Sequence, residues 1–89
     1  MVIIDVGRVD DERELHALLK TELGFPAFYG MNWDAFWDAL TGLVQIPDHL
    51  RFTGWDHLNT CVPRGATLLA QTLDRYRQQY RPQFQAEYA

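Results

Sequence analysis

Three short β-prone runs lie far apart in this sequence, and helical repeats fill each gap between them. That spacing constrains the fold more than any other feature. Strands separated by helical connections pair in parallel, through right-handed crossovers. The first run is Val2-Ile3-Ile4-Asp5-Val6, nearly all apolar and followed by Gly7. Such a run suits a strand buried on both faces. The second is Asp48-His49-Leu50-Arg51-Phe52. In the third, Phe84, Ala86 and Tyr88 alternate with Gln83, Gln85 and Glu87, the pattern of a half-buried strand.

The connections carry their own punctuation. Asp11 and Glu14 have capping-box spacing, with an acid in place of the usual Ser or Thr. Leu15, Leu18, Leu19 and Leu23 recur at helical spacing until Gly24 and Pro26 stop the helix, which spans about residues 12–23. Asn32 is a suitable N-cap for a second helix, whose apolar stripe is Trp33, Phe36, Trp37, Leu40, Leu43 and Val44, ending near Gly42. Thr53 is placed to cap a short helix holding Trp55 and Leu58, and Pro63 and Gly65 mark a loop. Ala66, Leu69, Ala70, Leu73, Tyr76 and Tyr80 then form a last helix, which Pro82 breaks. The expected architecture is a small, three-stranded, mainly parallel α/β sheet covered by helices, one domain over residues 1–89.

A formal net charge of −4 argues against nucleic acid or an anionic membrane as direct partner. Cys61 is the only cysteine, so the chain cannot close a disulfide on itself, and no Cys-based zinc site is expected. It reads as a buried small hydrophobe. Met1-Val2-Ile3-Ile4 is too short for a signal or a membrane span, and a cytoplasmic protein, monomeric, is expected. His16, His49 and His57 are dispersed, without metal-ligand spacing, and read as surface or half-buried imidazoles. No cofactor, metal or catalytic residue is expected.

Asp34 and Asp38 stand four apart on the second helix, so both carboxylates share a face. Asp34 lies in the first turn, where the helix dipole favours an anion; Asp38 does not. The pair is either a solvated helix face or a site awaiting a cation from outside. As an acid–base or metal-binding pair it is weak, with no His nearby in sequence. Just upstream, Gly24-Phe25-Pro26-Ala27-Phe28-Tyr29-Gly30 holds three rings on irregular backbone. All three can hardly point inward, and an exposed ring beside two acids is the usual make-up of an interface hot spot facing Arg or Lys.

The stretch Leu23 to Gly42 carries a long pattern: Pro26, Tyr29-Gly30, Asn32, Asp34-Ala35, Trp37-Asp38 and Leu40-Thr41-Gly42. It closely resembles the barstar family of ribonuclease inhibitors. Leu15-His16, Ile46-Pro47 and Gly65-Ala66 agree more loosely. The resemblance implies a three-stranded parallel sheet with helices, and a cytoplasmic inhibitor of a basic, barnase-like microbial ribonuclease of the extracellular type. It implies that Asp38 enters the nuclease active site in place of an RNA phosphate, with Asp34 as second carboxylate and Trp37 at their flank. Phe28, Tyr29 and Gly30 would lie against the catalytic groups. The family's namesake complex is itself a reference case for charge-steered association and for an aspartate hot spot, so those effects come with the resemblance. The best-known member carries Tyr where Phe28 stands, Trp where Leu43 stands and an acid where Arg75 stands. Those departures leave the acids of the second helix intact and alter the rim. The alternative is a protein-binding module of the same fold whose partner is not a nuclease.

Overall fold

The computed structural model describes all of residues 1–89. Its elements are β1 (Val2–Asp5), α1 (Glu12–Leu23), α2 (Trp33–Asp38), a π-helical turn (Ala39–Leu43), β2 (His49–Thr53), α3 (Trp55–Cys61), α4 (Pro63–Gln79) and β3 (Gln85–Tyr88). The three strands form one sheet in the order β1-β2-β3, and both pairings are parallel. This is the α/β architecture that the spacing of the β-prone runs predicts.

The register aligns Ile4, Phe52 and Tyr88 in one row, and Val2, Leu50 and Ala86 in another. Successive side chains point to opposite faces. Ile4, Leu50 and Phe52 are fully buried, whereas Ile3, Arg51 and Glu87, in the row between, are exposed. The helices therefore cover one face only. The expectation that β1 is buried on both faces is wrong: Ile3 is 56% exposed, because β1 is an edge strand of a sheet with an open face.

The helix boundaries follow local chemistry. Asp11 accepts a hydrogen bond from the Glu14 amide at 2.8 Å, and the Glu14 carboxylate accepts one from the Asp10 amide at 2.8 Å. The return bond is thus offset by one residue from an ordinary capping box. Asn32 caps α2 by accepting from the Ala35 amide at 2.7 Å. Two boundaries differ from expectation. Gly54, not Thr53, caps α3, with a left-handed φ of 73°. A Cβ on Gly54 would lie 2.4 Å from Gly7 Cα, so the ends of β1 and β2 meet backbone to backbone where only glycine fits. Pro63 opens α4 and Gly65 lies within it, so the expected loop is the first turn of the helix. A proline is suited to that position because the first helical N–H has no partner to lose.

The core gathers Leu15 and Leu19 from α1, Phe36 from α2, Leu50 and Phe52 from β2, Leu58 from α3, Leu69 and Leu73 from α4, and Phe84 before β3. Each such side chain contributes about 1.5–3 kcal/mol of transfer free energy. On α2 this leaves a division of labour. Phe36 is buried, with Ala39 and Leu40 just beyond it, and so fixes which way the other residues of α2 face.

Candidate partner-binding surface

With Phe36 inward, Asp34 and Asp38 are exposed, and Trp33 and Trp37 are half-buried at the edges of the helix. Asp38 stands between two grooves. One, of about 470 Å³, runs between α2 and α4 and is lined by Trp33, Asp34, Trp37, Asp38, Gln71 and Arg75, among others. The other, of about 260 Å³, is more apolar and is lined by Phe28, Tyr29, Gly30, Ala35, Asp38 and Leu43. All eight site residues singled out from the sequence thus line one groove or the other, and Asp38 alone lines both.

The carboxylates have no partner within the molecule. None of the five ion pairs includes Asp34 or Asp38, and neither accepts a hydrogen bond. Arg75 lines the same groove, yet it lies over the Trp37 ring, its guanidinium carbon 4.2 Å from the ring centroid. Trp37 also meets Tyr80 edge-on, with ring centroids 5.7 Å apart. A cation–π contact at an exposed site contributes about 0.5–1 kcal/mol. Arg75 is therefore part of the groove, not a detached rim charge, and it helps to hold the indole in place.

The loop before α2 divides its rings. Phe25 and Tyr29 are buried, and Phe28 is 75% exposed. Tyr29 and His16 share a buried hydrogen bond of 2.6 Å between the hydroxyl and Nδ1. Burial pushes the Tyr29 phenol well above its ordinary range. Tyr29 lines the groove without a free hydroxyl, since that hydroxyl also donates to Asn32 O at 3.4 Å. Burial also lowers the His16 pKa, against the opposing pull of the Glu12 carboxylate. His16 is 2% exposed, which corrects its reading as a surface or half-buried imidazole: it fills the space between Tyr29 and Trp33, whose ring centroids lie 5.8 and 4.4 Å from its own. Met31 holds a left-handed φ of 56°, a rare conformation for a side chain of its kind, immediately before the Asn32 cap.

Beyond α2 the backbone widens. The Val44 amide donates to Ala39 O at 3.1 Å, the five-residue spacing of a π turn, and the Thr41 hydroxyl donates to Trp37 O at 2.8 Å. The wider turn rotates Leu43 out of the apolar stripe that helical spacing assigned it to, and it is 50% exposed beside Phe28.

Cys61 is exposed, which corrects its reading as a buried hydrophobe. Leu58 and Val62 take the inward direction at this point of the chain, and Cys61 faces out with His57. Sequence spacing missed the neighbourhood this creates, because Asp10, the third member, lies in the turn before α1, 47 residues from His57. No His or Cys lines the two grooves around Asp38. No helix is long and apolar enough to cross a membrane.

The family model for Barstar (barnase inhibitor) matches residues 1–89. A protein of Bacillus subtilis (strain 168) named "Putative ribonuclease inhibitor YrdF" is 32% identical over 83 residues, covering 93% of this chain and 91% of that relative. The parallel sheet, the helix order and the whole-length match agree with each other: the chain belongs to the barstar family.

Proposed function

We propose that this protein inhibits a basic, barnase-like microbial ribonuclease by occluding its active site with the acids of α2 and the aromatic loop before them. The observation that carries the reading is the pair Asp34 and Asp38, both exposed in the groove between α2 and α4, with Asp38 also lining the second groove and neither paired with a cation of the molecule. Family membership and the ribonuclease-inhibitor name of the relative support a nuclease as the target. An active site that binds RNA phosphates presents converging cations, and two unpaired carboxylates complement it. Long-range attraction between the net charge of −4 and a basic enzyme speeds encounter. Phe28 and Leu43 add apolar surface on one side of Asp38, and Trp37, held by Arg75 and Tyr80, adds it on the other. Tyr29 and Gly30 shape the wall between. In this reading the protein acts in the cytoplasm as a monomer, the whole chain is one domain, and inhibition requires no catalytic residue, cofactor or metal.

Arg75 favours a second, narrower reading of the partner. A cation beside the two acids fits an enzyme with a carboxylate opposite it, so the nuclease bound would differ from one that meets an acid at that position. The test is titration of the purified chain into a barnase-like ribonuclease, with RNA cleavage as readout. Loss of cleavage at one equivalent, weakening with salt, is expected. Full cleavage at a large excess of the chain, together with capture of a non-nuclease from the native cell by wild type but not by Asp38→Ala, would replace the nuclease with another partner.

A further inference from the structure

Asp10, His57 and Cys61 come together at a place that none of the partner-binding residues shares. His57 and Cys61 are four apart on α3 and so share a face, and Asp10 comes from the turn before α1. Their donor atoms all lie within 4.8 Å of one another. The His57 ring is already oriented: Nε2 is 3.1 Å from Val9 O and 3.2 Å from Asp10 Oδ1, while Nδ1 faces Cys61 Sγ at 3.9 Å. With Nε2–H donated to the Val9 carbonyl, the lone pair on Nδ1 points toward the sulfur. Metal-binding histidines are commonly held this way, by a backbone carbonyl or carboxylate on the ring nitrogen that does not bind metal.

We propose that Asp10, His57 and Cys61 form a binding site for a borderline-soft divalent cation of the Zn²⁺ class. The donor set of thiolate, imidazole and carboxylate selects such a metal over Mg²⁺ or Ca²⁺, which prefer oxygen. Zinc bond lengths place adjacent ligands of a tetrahedral site about 3.5 Å apart. Reaching that takes rotation of the exposed Cys61 and of the exposed Asp10, whose carboxylate now lies 3.2 Å from Nε2 and must swing toward the Nδ1 side. Val9 O retains Nε2–H, and the half-buried His57 is the fixed point. Binding releases the Cys61 thiol proton to solvent, and water completes the coordination. Because the ligands come from the β1–α1 turn and from α3, the bound ion ties the two together and stabilises only the folded chain.

Co²⁺ titration of the reduced full-length protein tests this, since thiolate coordination gives a near-ultraviolet charge-transfer band. A band saturating at one ion per chain, displaced by Zn²⁺, is expected. Cys61→Ser should abolish the band, and His57→Ala and Asp10→Asn should each weaken binding at least tenfold. Excess Zn²⁺ should raise the thermal midpoint of wild type by a few degrees and leave that of Cys61→Ser unmoved. Circular dichroism of the metal-free variants verifies that each is folded. Absence of a band overturns the site. So does binding unchanged by His57→Ala or Asp10→Asn, which reveals a lone thiol, and so does one ion per two chains, which reveals a bridge between copies.

Discussion

Glu12 and Asp38 are both acids on helices that border Trp33 or Trp37, and the molecule treats them in opposite ways. Glu12 accepts the Trp33 indole N–H at 2.9 Å and two bonds from Arg64, at 2.7 and 2.8 Å. The Trp33 bond leads in holding its carboxyl below the usual range, with Arg64 assisting. Asp38 has no ion pair, although Arg75 lines the same groove. The fold could have closed that groove with an internal salt bridge. Instead the guanidinium packs on the indole and the carboxylates stay open to solvent. A satisfied acid serves the fold, and under the proposed function the unsatisfied one at the surface is left for a partner.

The comparison breaks most easily at Asp38. Asp38→Ala should weaken nuclease binding by about 2 kcal/mol or more with the thermal midpoint unchanged, because desolvated cations on the partner lose their counter-charge. Calorimetric titration beside a melting curve measures both, and unchanged affinity in a folded variant removes Asp38 as the anchor. The buried side responds to pH instead. The folded-state pKa of His16 lies below the ordinary 6.5, so the unfolded chain takes up this proton first as pH falls. Stability from neutral His16 is complete above 6.5 and declines below it, by at most about 1.4 kcal/mol per pH unit. His16→Gln should flatten that slope in denaturant titrations between pH 7 and 5. The Glu12 contribution follows lower, because its stabilising bonds persist until pH falls below 4.5.

Glu12→Gln should lower stability by about 1 kcal/mol, since the Arg64 pair is partly exposed and the amide still accepts from Trp33. Its effect on nuclease affinity should be smaller than that on stability, the reverse of Asp38→Ala. Arg75→Glu sharpens the comparison with the smallest equilibrium effect. It should speed association with a strongly basic barnase-like enzyme at low salt, with the gain shrinking as ionic strength rises, and slow association with a partner carrying a complementary acid. Stopped-flow rates over a salt series separate the two. Unchanged rates with both enzymes would detach α4 from the interface.

The order of elements was legible because β-rich runs and helical repeats alternate along the chain. What escaped was set by contacts that no local pattern records. Phe28 and Tyr29 are adjacent and chemically alike, but only Tyr29 has the hydroxyl that pairs with His16 Nδ1, and Tyr29 is the one that turns inward. Composition limited the loop to at least one exposed ring without saying which. Thr53 is a better cap than Gly54 by side chain, yet the approach of Gly7 leaves room for no side chain there. Resemblance placed Arg75 on the last helix, but its stacking on Trp37 depends on how α4 crosses α2. Cys61 and His57 share a readable helical spacing, whereas Asp10 joins them only through the fold.

The parallel register also governs when the groove beside Asp38 exists. Val2 pairs with Leu50, and Leu50 with Ala86, so each strand pairing encloses a long crossover. Closing such loops is unfavourable until both strands are in place, which makes sheets of this kind slow and cooperative to assemble. The groove beside Asp38 takes α2 from the first crossover and α4 from the second. Neither half of the chain can present it alone. Under the proposed function a nuclease meets a finished surface or none, and the rate at which this chain folds limits how soon it protects anything.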